Sequence, residues 1–185
     1  VIAHDAVTYA THAQLERARR AVGTSETIHL AAGKHWIYYY LAIARITAGT
    51  TLIVSVLLGA QYLMPALPLH LLIGLVVITL SIGALRGIKA RVFWESWCFV
   101  VTAKQIRICV SYPPELFVLS STVASVDSSS VTSSGTAIPG WASAFTPPPG
   151  VVKLETPAQN DSVFHEVCGL PDPETIKRIV DARRK

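Results

Sequence analysis

The side chains able to ligate a metal or attack a substrate are scattered along this 185-residue chain. Cys98, Cys109 and Cys168 form no C-x-x-C pair. His4, His12, His29, His35 and His165 fall in no H-x-x-E or H-E-x-x-H frame, and no G-x-S-x-G elbow is present. Asp127, Asp161 and Asp172 read as a strand residue, a turn residue and a helix cap, roles that account for them without catalysis. No glycine-rich phosphate loop is visible. The sequence therefore nominates no catalytic residue, no metal site and no cofactor, and the chain reads as a non-enzyme. An odd, scattered set of thiols suits small apolar core residues in a reducing compartment.

Contact chemistry is better represented. Trp141 and Phe145 stand in a Gly, Pro, Ser and Ala-rich stretch, 133–150, that reads as a loop and carries Pro147-Pro148-Pro149. Large aromatics in a polar, proline-stiffened loop either meet a partner or the membrane, or fold back as a lid on the domain. Arg45 lies about two turns inside an apolar stretch that opens at Trp36. It either snorkels to the headgroups or faces a partner helix or polar cavity.

The elements that must hold these residues are dominated by one feature. From Ile46 to Leu85, between Arg45 and Arg86, no side chain is charged. A hydrocarbon span needs about 20 apolar residues, so the stretch is long enough for two crossings. Pro65 and Pro68 sit near its midpoint and interrupt a helix there. The expectation is a transmembrane hairpin over 36–90, with spans of about 37–63 and 67–88. The turn around Met64 to Leu69 carries no Lys or Arg, whereas Arg17, Arg19, Arg20 and Lys34 precede the hairpin and Arg86, Lys89 and Arg91 close it. The positive-inside rule then puts both termini in the cytoplasm. Trp36, Tyr38, Tyr39, Tyr40, Phe93, Trp94 and Trp97 form an aromatic belt at that side. Ala44 and Ala48, Ser55 and Gly59, and Gly83 and Gly87 have the small-xxx-small spacing that lets helices approach closely. The first thirty residues lack the apolar core of a signal peptide, so the first crossing is expected to act as the targeting signal. A net charge of +4, thinly spread and without Lys/Arg clusters among aromatics, argues against nucleic acid.

Residues 1–35 read as an N-terminal cytoplasmic helix, Ala3 to Val22 with Gly23 as its stop, and an extended lead-in around Ile28 and Leu30. Residues 91–185 read as a small domain. Trp97 to Thr102 and Ile106 to Ser111 alternate as strands, with Ala103-Lys104-Gln105 between them as a turn. A proline turn at Tyr112 to Glu115, strands at Leu116 to Leu119 and Val123 to Val131, and strands at Val151 to Thr156 and Ser162 to Val167 around a turn at Ala158 to Asp161 follow. Asp172 as N-cap, Pro173 at the first helical position and the Ile176, Ile179, Val180 stripe announce a closing amphipathic helix.

A small sheet with one helix must use that helix to cover an open end of its core, as in a pleckstrin-homology-like (PH-like) barrel. The chain resembles the bacterial PH-domain membrane protein family of the YdbS-like type. The resemblance rests on Glu26-Thr27-Ile28-His29 and Lys34-His35-Trp36 before the first span, and on Phe99-Val100-Val101-Thr102-Ala103-Lys104-Gln105-Ile106 after the second. Phe117 to Val126 and Leu170-Pro171-Asp172-Pro173-Glu174 continue it, while 133–150 departs from the family pattern. The resemblance implies an α+β membrane protein: a two-helix transmembrane hairpin followed by a small PH-like β-barrel capped by a C-terminal helix, in the bacterial plasma membrane. It also implies, at Lys104 and Arg107 beside the first strand turn, the position where eukaryotic PH domains hold an anionic headgroup. The expected role is non-enzymatic: an accessory or scaffold subunit docked on an integral membrane protein partner. The alternatives are a lipid-headgroup binding module, with Lys104, Arg107 and the Trp141 to Phe145 loop at the bilayer, and a homo-oligomeric pore or transporter component.

Overall fold

A computed structural model describes residues 2–23, 26–63, 68–110, 122–156 and 166–183. The chain divides into two compact units, Val1–Trp36 with Phe93–Lys185, and Ile37–Val92.

The second unit consists of most of α2 (Trp36–Leu63) and α3 (Leu69–Ser96). Both helices are long and apolar enough to cross a membrane. No residue of α2 is buried, and Leu52, Val56, Leu80 and Leu85 stand among the exposed large apolar side chains. A soluble helix would bury one apolar stripe; here apolar residues cover every face. Leu71 N donates to Pro68 O (3.0 Å), so α3 starts directly behind Pro68, as a proline restricted to the first turn requires. The helix runs on to Ser96, beyond the span end expected near residue 88, and so carries Arg86, Lys89 and Arg91 on its own last turns. The link at residues 64–67 lies outside the described residues. Of the small residues, Gly83 and Gly87 face α2: a Cβ at Gly83 would stand 2.7 Å from Thr50 Oγ1, and one at Gly87 3.9 Å from Ile43 Cδ1. Gly59 has open space around it, so its spacing with Ser55 marks no contact.

The first unit is layered. A five-stranded sheet runs in the order β1 (Ile2–Tyr9), β2 (Ile28–Ala32), β3 (Trp97–Thr102), β4 (Gln105–Val110), β5 (Thr122–Asp127). A three-stranded sheet holds β6 (Ser133–Ala137), β7 (Pro149–Glu155) and β8 (Glu166–Pro171). Among the described residues no ladder joins the two sheets, so the expected closed barrel is replaced by two separate sheets. They share one core: Phe99, Val101, Ile106 and Leu30 from the first meet Val152, Leu154 and Leu170 from the second. Ile176 and Val180 of α4 (Pro173–Arg183) close it, as the apolar stripe of that helix predicts. Its Asp172 cap is present, with Asp172 Oδ1 accepting from Thr175 N (3.3 Å).

The N-terminal residues, expected as a lead-in apart from the domain at 91–185, belong to this same unit. The expected helix from Ala3 is a strand as far as Tyr9, and α1 covers only His12–Val22. Thr11 starts it through a capping box with Gln14, and Gly23 ends it at φ 80°. β1 pairs parallel with β2, as a strand–helix–strand connection allows, and Ala18 and Val22 of α1 cover the outer face of the sheet over Cys98, Val100 and Cys109. β3 is therefore buried on both faces, which explains its uninterrupted apolar run Trp97-Cys98-Phe99-Val100-Val101. A bulge in β2, where Ile28 and Leu30 oppose consecutive residues Thr102 and Val101, sends Ile28 to the α1 side and Leu30 to the main core. The presumed loop over 133–150 opens with strand β6 and continues in a short 3-10 helix, Gly140–Ala144. The strand expected to Val131 ends at Asp127, and Ser128–Ser130 forms a 3-10 turn. The turns and strands expected at 112–119 and 158–165 lie outside the described residues.

The hairpin is thus an insertion. β2 and β3 are antiparallel neighbours with Ala32 opposite Phe99, and the two long helices replace the turn that would join them.

Candidate functional site

A cleft of about 380 Å³ opens in the first unit, lined from residues on both sides of the inserted hairpin. Its floor is built by α1 and the β2 exit. Thr11 N donates to Gln14 Oε1 (2.8 Å), and Gln14 Nε2 donates to Trp94 O (2.9 Å), so the cap of α1 also holds the C-terminal end of α3. The Gln14 carboxamide passes where a Cβ at residue 33 would be, which is why Gly33 stands there. Trp94 Nε1 donates to Lys34 O (2.9 Å) and His35 N donates to Gly169 O (2.7 Å). Lys34 and Trp94, sixty residues apart in sequence, are thereby fixed side by side.

Lys34 is among the residues that line this space. Lys34 Nζ lies 5.1 Å from the Phe93 ring centroid and 5.2 Å from that of Trp97, within cation–π range. Burial lowers its pKa from the usual lysine value, with the nearby Cys168 thiol acting in the opposite sense. Burial also lowers the pKa of His35, against a hydrogen bond to the Pro147 backbone. Tyr9 donates its hydroxyl to Asp172 Oδ2 (2.8 Å), and burial followed by that bond raises the phenol pKa. Among the described residues no carboxylate lines the cleft, and Asp172, bonded to the lining Tyr9, is the acid beside it.

Further rings pack on the lining residues Trp36 and His35. Phe145 packs edge-on against Trp36 (5.7 Å between centroids) and His35 (6.0 Å), and Trp141 packs edge-on against Phe145 (5.9 Å). Phe145 is half-buried in these contacts, while Trp141 remains 48 % exposed and Trp36 47 %. The remaining nominated residues are not brought to this place. Arg45 is exposed on α2 in the other unit. Lys104 is exposed at the β3–β4 turn. Arg107 Nη2 donates to Glu26 Oε1 (3.1 Å) and to Gln105 Oε1 (2.7 Å). Tyr9, Thr11 and Gln14 carried no signal in the sequence; Lys34 and His35 stood out there as a flank of the first span and as part of the family resemblance.

Cys98 and Cys109 are buried cross-strand partners, as free core thiols, whereas Cys168 is exposed, contrary to the expectation for all three. Among the described residues no group of His, Cys, Asp and Glu could hold a metal ion. A second groove of about 240 Å³ lies between α4 and the β1–β2 pair, where Arg183 Nη2 stands 3.0 Å from His29 Nδ1 beside Arg178.

No family model, no curated protein and no solved structure matches this chain.

Proposed function

We propose that this chain is a membrane-anchored binding module of PH-like type, serving as a non-enzymatic accessory or scaffold subunit of a larger membrane complex. The observation that carries the reading is the insertion of two helices, each long and apolar enough to cross a membrane, between adjacent, paired strands of a folded unit. Such an insertion ties the domain to the bilayer through two covalent links that leave from neighbouring strands. The meander β2 to β5, the meander β6 to β8 and the closing α4 resemble the strand-then-helix succession of a PH-like domain, to which β1 and α1 are additions. The cations at both hairpin flanks favour a cytoplasmic domain on a bacterial plasma membrane. Half-exposed Trp141 and Trp36 provide the aromatic anchors that protein contacts favour.

Extraction from native membranes in mild detergent is expected to recover the chain with a stoichiometric integral membrane partner. Trp141→Ala should weaken that association without changing the amount of folded chain. Elution as a lone monodisperse monomer would overturn the scaffold reading. A headgroup-binding role is the second reading, favoured by the Lys34 cleft.

A further inference from the structure

Helix α4 separates its charges by side. Its acids serve the second sheet: Ser134 of β6 donates its hydroxyl to Asp181 Oδ1, and Thr136 donates to Glu174 Oε1. Asp181 also pairs with Lys177 (3.5 Å). Arg178 and Arg183 instead line the groove against β1 and β2. Among the described residues neither arginine forms an ion pair with a carboxylate, and no carboxylate lines the groove. Asp172 is the acid whose field reaches Arg178, and it is already bonded to Thr175 and Tyr9. Arg183 is held in position by a group that does not neutralise it. A guanidinium can only donate, so His29 Nδ1 accepts from Arg183 Nη2 at 3.0 Å. The rest of the lining is apolar: Val7, Ile179 and Ala182. At about 240 Å³ the groove is smaller than the roughly 300–1,000 Å³ of small-molecule sites, and it has room for a few side chains of a segment passing over it.

We propose that this groove docks an acidic segment of a partner protein, with a carboxylate side chain across Arg178 and Arg183 and an apolar neighbour seated on Val7, Ile179 and Ala182. Planar guanidinium forks match a carboxylate with two parallel bonds. The apolar lining adds burial for a side chain that a free anion does not carry. The proposal deepens the scaffold reading and rests on it for the existence of a protein partner.

The test uses the full chain in a maltoside micelle and the fluorescence anisotropy of short labelled peptides, with empty micelles as the blank. One peptide alternates glutamate with leucine, a second carries glutamine in place of glutamate, and a third carries serine in place of leucine. The first is expected to bind saturably, and each of the others about tenfold more weakly or worse. Arg178→Gln and Arg183→Gln should each weaken the first peptide by about tenfold, the size of one charge-assisted hydrogen bond. Arg183→Lys should recover only part of the loss, because an ammonium lacks the fork. Arg19→Gln, which removes an exposed cation of α1, should change nothing. Because Arg183 is half-buried against His29, Arg178→Glu at an exposed position is the independent variant and should weaken the first peptide by at least about tenfold. No saturable binding, equal binding of the glutamine or serine peptide, or an unchanged affinity in Arg178→Glu would each overturn the proposal. Displacement of the first peptide by an equimolar amount of inorganic phosphate or phosphatidylglycerol would overturn it too, leaving a general anion site. Co-extraction of the wild-type chain with an integral membrane partner is measured in parallel. A chain that elutes alone yet binds the peptide refutes the scaffold reading only, whereas a chain that keeps its partner but ignores the peptide refutes only the groove.

Discussion

Burial makes Cys98 and Cys109 unreactive. It pushes the Cys98 thiol up to about 12, with neighbouring Cys109 adding to the effect, and it raises Cys109 as well. Under native conditions at pH 8, a chromogenic disulfide reagent should titrate one thiol, exposed Cys168, and the other two only after denaturation. Rapid labelling of all three would show that α1 does not close the face over β3 and β4. His35 gives a pH dependence of definite sign. Its folded pKa lies below the ordinary 6.5, so the unfolded chain takes up the proton first. Its contribution is complete above about pH 6.5 and is lost as pH falls from there toward the folded value. Denaturation midpoints measured from pH 7.5 to 5.5 should therefore fall, and fall less in His35→Gln.

At the scale of elements, the helix pair depends on the close approach at Gly83. Any side chain there meets Thr50 Oγ1 at 2.7 Å from its Cβ, so Gly83→Leu should force the helices apart at a cost of about 1–3 kcal/mol. Gly59→Leu, with open space around its site, should be close to neutral. Midpoints of SDS-induced unfolding would separate the two; equal effects would mean that α2 and α3 do not meet at Gly83. In the sheets, Phe99 is fully buried where β3 joins both layers. Phe99→Ala should cost about 3–5 kcal/mol, read by chemical denaturation.

For the whole molecule, the insertion of the hairpin makes a separation possible. The two flanks are already held together by the Trp94 to Lys34 bond and by β2–β3 pairing. Removing residues 37–92 and joining Trp36 to Phe93 through a short Asn-Gly turn should leave a water-soluble unit with a strand-rich circular dichroism spectrum. A fragment limited to residues 91–185 should aggregate instead. It lacks β2 beside β3, and it lacks α1 over Cys98, Val100 and Cys109, which exposes both an edge and an apolar face. Equal solubility of the two would contradict the layered arrangement.

Local signals were legible because they depend on neighbours in the chain. An uncharged run interrupted by Pro65 and Pro68 yields two apolar helices whatever surrounds them, since each satisfies its own backbone. The apolar run of β3, the alternation along β4, the Asp172-Pro173 start of α4 and the Gly23 stop of α1 are equally local. Partnership across long separations was not legible. Nothing in Ile2 to Tyr9 states that a parallel neighbour awaits it, and so a helical composition was read where a strand stands. The same holds for the cleft. Lys34 reads as one of several flanking cations until β2–β3 pairing sets it against Phe93, Trp94 and Trp97, and Arg107 reads as a free cation until folding brings Glu26 to it. Helix and strand character follows from residues a few places apart, whereas a binding cleft depends on which distant surfaces bury each other, and that is settled only when the core packs.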